Sequence, residues 1–499
     1  MESEPMLNQN SVVLACKGSG LFSAGLITLL AMAVCHADDR VTGSGSKATA
    51  PPTVVNTTTM APQPGDPESL ATVPEPTPTA TADPAPQIAD ETEPPAVQSP
   101  LFGGPLFSRP KLTGDWFGLR PELADRGIGL DIFGTQFYQG TADGGRVREG
   151  AYGGKFDYLF NVDGGKLGLW PGFFINLHAE TRLGQSVNNI DGLLTPSNIA
   201  MNFPEPNGNI TALTGVKFTQ ALSENFALFA GKINTLDEYP LRFSSDLGLD
   251  RPGIGGFMNT SLVFNPIAAR TVPYSAAGFG VAFLRKNLPL FTFSVFDPEE
   301  RATIGLQNLF SRGVVLVPDL TIRGKPFGPP GVINLGGTYS SATYTSVDPA
   351  SYLTVPGQGI PAPKEHGSWS LYANLYQALR VDPTDEKRNW GMFGQFGISD
   401  GNPNPVRFVA NGGIAGRSLL PGRKLDTFGV GYFYIGLSSE FKALLAPYLP
   451  QQNEDGVELF YNMAITPWCR LTADLQVARP STRIYDTVII LGLRMQITF

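Results

Sequence analysis

The sequence predicts an all-β protein, a 16-stranded antiparallel transmembrane β-barrel with short periplasmic turns and long outer loops, behind a disordered Pro/Thr-rich N-terminal segment. Three observations lead there. The last strand alternates to its final residue, with Phe499, Ile497, Met495, Leu493, Leu491 and Ile489 on one face and Thr498, Gln496, Arg494, Gly492, Ile490 and Val488 on the other. Comparable alternation recurs throughout residues 111–499, with charges gathered on one face. Although 42% of residues are hydrophobic, no run approaches the ~20 apolar residues that a spanning helix requires. A strand wall with lipid on one side and water on the other uses this interleaved pattern instead.

The N-terminus precedes any barrel. Leu21–Val34 is a 14-residue apolar run followed by Cys35-His36-Ala37 and Asp38-Asp39. That length suits a signal-peptide core with cleavage after Ala37, so residues 1–37 are assigned as a signal peptide. Residues 38–110 contain Pro51-Pro52-Thr53, Pro74-Glu75-Pro76-Thr77-Pro78 and Glu93-Pro94-Pro95 without hydrophobic periodicity. Such a stretch buries too little surface to offset its ordering entropy and is expected to be an extended, disordered linker. Residues 111–499 form the barrel.

Charge separates these regions. Of the formal net −8, residues 1–37 carry −1 and residues 38–110 carry −6, which leaves −1 on the barrel. A nearly neutral barrel argues against strong selection of one ion sign and against nucleic-acid binding. Only Cys469 remains after processing, so no disulfide forms within the mature chain.

Parity assigns the faces. In Phe173–Leu183, Ile175, Leu177 and Ala179 oppose Asn176, His178, Glu180 and Arg182. In Arg470–Val477, Leu471, Ala473 and Leu475 oppose Thr472, Asp474 and Gln476, and Ser368–Tyr376 and Val457–Ile465 alternate in the same way. A cation facing lipid at mid-bilayer costs roughly 2–4 kcal/mol, so the charged face is the lumen. Strands are expected near residues 133, 157, 178, 216, 229, 281, 293, 317, 336, 373, 395, 432, 445, 461, 474 and 493. The segment near 445 is the weakest because of Pro447. Long connections at Gln185–Asn209 and Asp237–Ser275 alternate with short ones such as Ser223-Glu224-Asn225.

Leu112-Thr113-Gly114-Asp115-Trp116, continuing through Gly118-Leu119-Arg120 to Arg126-Gly127-Ile128, resembles the N-terminal motif of the carbohydrate-selective porin (OprB-type) family. Leu167–Gly172, Gly231–Asn234, Phe257–Thr260, Pro273–Ser275, Gly397–Pro405, Pro467–Gln476 and Leu491–Phe499 extend the resemblance in the same order over essentially 111–499. Phe117 departs from it, where the family often has glycine, and so does the Pro/Thr-rich linker. The resemblance implies a sixteen-stranded outer-membrane channel, commonly a homotrimer, that passes sugars such as glucose down a gradient. It also implies that the barrel-assembly machinery reads the strand ending in Phe499. Outer-membrane lipid and lipopolysaccharide are the expected surroundings, small neutral sugars the expected solutes, and no cofactor is expected.

A neutral sugar presents hydroxyl groups and apolar ring faces, so a selective constriction pairs charged hydrogen-bonding groups with aromatic surface. Candidates on the early strands are Lys155, Asp157, His178, Glu180, Arg182 and Lys232, read as inward-facing. The third outer loop adds Arg242 and Arg270, with Asp237, Glu238, Phe257 and Tyr274, and narrows the pore if it folds inward. Trp170 in a turn reads as an interface anchor and Trp369 as lipid-facing girdle. Asp297, Glu299 and Glu300 read as a solvated loop cluster. Only His178 and His366 remain after processing, too far apart in sequence for a histidine-rich metal site, and no hydrolase elbow or phosphate loop is present. The rival readings are a general diffusion porin, an envelope-tethering protein and a secreted β-rich sugar-cleaving enzyme.

Overall fold

The computed structural model describes residues 103–242, 256–352 and 363–499, with the side chains of 239–242 excepted. The expected signal peptide and most of the expected linker lie outside these residues. Sixteen antiparallel strands close into one barrel in sequence order, with β1 (Ile128–Asp143) pairing β16 (Val488–Thr498) across the seam. β2 (Gly150–Asp163), β3 (Phe173–Gly184), β4 (Ile210–Ser223) and β5 (Phe226–Asn234) make one side of the wall. β6 (Ser275–Arg285), β7 (Leu288–Phe296), β8 (Val315–Gly324), β9 (Gly331–Thr345) and β10 (Lys364–Asp382) follow. β11 (Asp385–Ser399), β12 (Val406–Arg417), β13 (Thr427–Leu437), β14 (Glu454–Thr466) and β15 (Cys469–Arg479) complete it. Closure leaves no unpaired strand edge in lipid.

Alternation sorts the side chains as the sequence implies. Leu491, Leu493 and Met495 of β16 are exposed to the outside, while Arg494 between them is fully buried inside. Trp369 is exposed on the outer face, and Trp170 stacks on Phe173 at 4.5 Å between ring centroids. The short turns share one end of the barrel with both described chain ends. The other end carries the loops numbered L1–L8 in chain order, with L1 at 144–149 and L7 at 438–453.

The motif preceding β1 fastens the seam at the turn end. Leu112 N donates to Thr498 O at 2.8 Å, and Lys111 pairs with Asp131 of β1. A short helix, α1 (Leu119–Asp125), follows, and Arg120 Nη2 donates to Phe499 O at 3.2 Å. Phe117 adopts φ 62°, in the left-handed region that glycine enters without steric cost, so glycine suits this position and nothing in the structure explains the phenylalanine.

The strand count of sixteen is right through two compensating errors. The segment around residue 445 is a helix, α2 (Ser439–Leu445), whose N-cap Ser438 Oγ accepts Phe441 N at 3.1 Å and whose Phe441 is buried. The strand that sequence reasoning missed is β12. Its inward residues Val409 and Ala415 are apolar because a loop covers them, and Asn411 is the one polar residue between them, so polar alternation marks it weakly. The expectation that Arg494 faces lumen water is also corrected, because its Nη2 donates to Gly256 O at 2.9 Å under that loop.

Parity on β16 makes a direct prediction. Leu493→Arg places a cation in lipid and lowers folding stability in vesicles by about 2–4 kcal/mol. Urea titration of the reconstituted barrel measures this, and an unchanged midpoint contradicts the assigned face.

Candidate functional site

Two long loops fold into the barrel, and one strand holds both. The second loop, L2, spans 185–209, and the third, L3, spans 235–274. Glu458 on β14 accepts the backbone N–H groups of Met258 and, at 2.9 Å, Asn259. Four residues along, Glu454 accepts Leu194 N at 2.7 Å and Thr195 N at 2.9 Å. Each carboxyl group thus satisfies two consecutive loop donors from a fully buried site. Leaving such a donor unpaired costs roughly 1–3 kcal/mol.

The described part of L3 then crosses the inner wall. Its single-turn helix α3 (Thr260–Val263) is capped by Asn259, and Asn411 Nδ2 on β12 donates to Ser261 O at 2.6 Å. Asn265 Nδ2 reaches Phe396 O at 2.9 Å, and Thr271 Oγ1 reaches Thr338 Oγ1 at 2.7 Å. Phe257 lies edge-on to Phe460 at 4.9 Å between centroids, and Ile267 and Leu262 are buried with Phe393 and Phe433. L2 and L3 also bond to each other, through Thr260 N to Pro196 O and Ile199 N to Met258 O, both 2.9 Å.

On β2–β5 the charged candidates come together. Register sets Lys155 opposite Arg182 and Asp157 opposite Glu180. Lys155 pairs with Glu180 and lies 3.6 Å from Asp157. His178 meets Asp157 through Nε2 at 3.1 Å and Asp237 through Nδ1 at 2.7 Å. Because both partners are carboxylates, an imidazolium donating from both nitrogens fits this position. Tyr274 at the end of L3 donates its hydroxyl to Glu180, receives Asn234 Nδ2 at 2.9 Å and stacks on Phe203 of L2 at 3.7 Å between centroids. Lys155, Asp157, His178 and Glu180 are all buried. Asp157, His178 and Glu180 each place one donor atom within 4.8 Å of the others, a spacing that suits a cation, and Lys155 supplies positive charge there.

The other candidates lie elsewhere. Arg182 is fully buried and holds L2, through Nε to Met201 O at 2.7 Å and Nη1 to Gly208 O at 2.6 Å. Lys232 shares strand parity with exposed Leu228, and its Nζ donates to Ala302 O at 3.2 Å in L4, the loop spanning 297–314. This differs from the inward position expected for it. Arg270 lies over the Tyr344 ring at 4.8 Å. Arg242 ends α4 (Thr235–Arg242), and its side chain lies outside the described residues.

Sequence reasoning missed Lys217. Its ammonium pairs with Glu238 and lies 5.3 Å from the Phe229 ring centroid. The extra residue at Thr214, between the pairings of His178 and Ala179, shifts parity along β4, so simple alternation does not reveal it. Asp237, at 28% side-chain exposure, and Glu238, at 17%, are the network's more open charges.

The acidic cluster of L4 is not a solvated loop. Arg301 binds Asp297 at 3.0 Å and Glu299 at 2.9 Å, and Glu300 accepts Tyr274 N at 2.7 Å and Ala302 N at 2.9 Å. Burial pushes the Glu300 carboxyl up to about 7 against the opposing pull of these N–H groups.

The profile of the carbohydrate-selective porin, OprB family, matches residues 148–499. The chain belongs to that family. Its barrel is similar to Pseudomonas putida OprB at high pH, with a TM-score of 0.68 and 19% identity over 79% of this chain and 99% of that one. The low-pH structure of the same protein gives a TM-score of 0.48 at 17% identity, with the same coverage. Salmonella typhi OmpF in complex with daunomycin gives 0.45 at 9% identity over 75% of this chain and 98% of that one. Comparison with curated proteins returned no match. This porin is therefore a bacterial outer-membrane channel, as family and barrel together indicate.

Two predictions follow from the anchors. Glu458→Ala strands two buried N–H groups and frees L3, so open-channel current noise rises in planar bilayers, whereas wild-type noise in the variant contradicts the anchoring role. Glu300 has a folded-state pKa raised from 4.5 to about 7, so the native state binds the extra proton. Its contribution to stability is present below about 4.5 and is lost as pH rises toward about 7, on the order of 3 kcal/mol. In thermal unfolding, Glu300→Gln should flatten that slope, and an unchanged slope rejects it.

Proposed function

We propose that this porin passes small neutral sugars, monosaccharides such as glucose among them, into the periplasm by passive diffusion, with selection on the path bordered by L3. The observation that carries this reading is the meeting of L3 with the β2–β5 wall. There Asp237, Glu238, Lys217, Tyr274 and the buried Lys155–Glu180 pair join both charge signs to aromatic surface. Mixed signs suit hydroxyl recognition better than ion sorting, and a barrel net charge of −1 agrees. Passage requires weak binding, roughly millimolar or about −4 kcal/mol, so that solute leaves as readily as it enters. Lys155, Asp157, His178 and Glu180 act as one unit that shapes the path, and Arg182, Lys232, Arg242 and Arg270 act through the loops they border or hold.

A second reading is favoured by one observation. The buried candidates satisfy each other, which leaves few charges free for a solute and suits a general diffusion channel. We further assign residues 1–37 as a cleaved signal peptide, the following segment as a disordered spacer, the strand ending in Phe499 as the assembly signal, and the native state as a homotrimer in lipid and lipopolysaccharide.

Liposome swelling separates the two readings. Glucose entry should exceed that of a singly charged sugar acid of similar size, and Glu180→Ala should lower that ratio. Equal entry of the two solutes supports general diffusion, and an unchanged ratio in Glu180→Ala removes this residue from the selective path.

A further inference from the structure

Above the buried network, at the loop end, a cleft of about 330 Å³ opens between L1 and the two arms of L2. It is lined by Glu149 where β2 begins, by Arg182 at the top of β3, and by Gln185, Asn189, Ile190 and Asn207 of L2. Ligand clefts run from roughly 300 to 1,000 Å³, so this one suits a small solute. Glu149, Gln185, Asn189 and Asn207 are exposed, and each has a side chain free of intramolecular hydrogen bonds. Three amides supply donors and acceptors together, and the carboxylate adds a strong acceptor. A neutral polyhydroxylated solute uses both kinds, whereas a simple ion uses one.

The cleft is preformed. Arg182 fixes L2 through the carbonyls of Met201 and Gly208, Gln185 N donates to Tyr152 O at 2.9 Å, and Gly184 N donates to Asn209 Oδ1 at 2.8 Å. Gly184 has φ 75°, and a Cβ there would lie 2.5 Å from Tyr152 O, so the corner admits glycine alone. Rigid walls with unpaired polar groups lower the ordering cost of binding a solute. Ile190 and Ala151 add a small apolar patch.

We propose that this cleft is an external capture site for small saccharides, distinct from the L3-bordered path, which loads sugar at the mouth before passage. The inference rests on the sugar-channel reading and adds a direction to it. A mouth site raises the frequency of sugar entry from outside and leaves entry from the periplasmic side unchanged.

Single-channel recording with glucose added to one side at a time tests it. Asn189→Ala/Asn207→Ala, and separately Gln185→Ala, remove groups from the cleft but not from the barrel wall, and an unaltered open conductance reports an intact channel. Loss of one or two hydrogen bonds should lower the frequency of outer-side sugar blockades about 3- to 10-fold. Blockades from the periplasmic side should keep their frequency. Wild-type frequency from the outer side in conducting variants, or an equal fall from both sides, overturns the capture site while the sugar-channel reading stands. Absence of any sugar blockade in wild type overturns that reading and the capture site with it.

Discussion

Glu454 and Glu458 stand four residues apart on the inward face of β14, and the interior depends on them. Glu454 takes two consecutive backbone donors from L2, and Glu458 takes two from L3. A loop inside a barrel brings backbone N–H and C=O groups away from bulk water, and each such group needs a partner. Here the partners are two carboxylates together with Asn411, Asn404, Gln476 and Arg494. Removing one carboxylate therefore does more than delete a contact, because it leaves donors stranded where no other acceptor is placed.

That arrangement divides the lumen into two unlike sides. The wall from β9 to β16 is sealed under L3, and much of it is apolar, built on Phe257, Phe393, Phe433 and Phe460. The wall from β2 to β5 keeps its charges, although they are paired with one another. Burying so many charges is favourable only when each is matched, and the Lys155–Glu180 and His178–Asp157 contacts, with Asp237 beyond them, provide the match. The network holds a fixed polar contour beside Tyr274 and Phe203, and Lys217, Asp237 and Glu238 form its more open edge.

The barrel was legible because period two is a strong signal when one face meets lipid. Leu491, Leu493 and Met495 outside with Arg494 inside, and Trp369 on the outer face, follow from the sequence alone. The register that sets Lys155, Asp157, Glu180 and Arg182 on adjacent strands was legible for the same reason. Alternation fails where loops change what a face touches. From Val409 to Ala415, β12 carries a single polar residue, Asn411, on an otherwise apolar or glycine inward face because L3 covers it, and Lys232 is a cation on an outward position because L4 supplies carbonyls there. A bulge at Thr214 hides Lys217. The segment near 445 is apolar on both sides because it is a helix packed into L7, capped by Ser438. Burial of the candidate charges was not legible at all, since it depends on loop contacts 19 to 94 residues away in sequence.

L3 stays docked against the β15 side of the lumen while the channel conducts. Asn259 Nδ2 donates to Gln476 Oε1 at 3.2 Å across that contact. A short bifunctional thiol reagent joining Asn259→Cys to Gln476→Cys, in a Cys469→Ser background in intact outer membranes and followed by sugar uptake, tests it. The cross-link should form and sugar flux should persist with L3 locked in place. Failure of the cross-link to form in a folded barrel, or loss of sugar flux once it has formed, contradicts the docking.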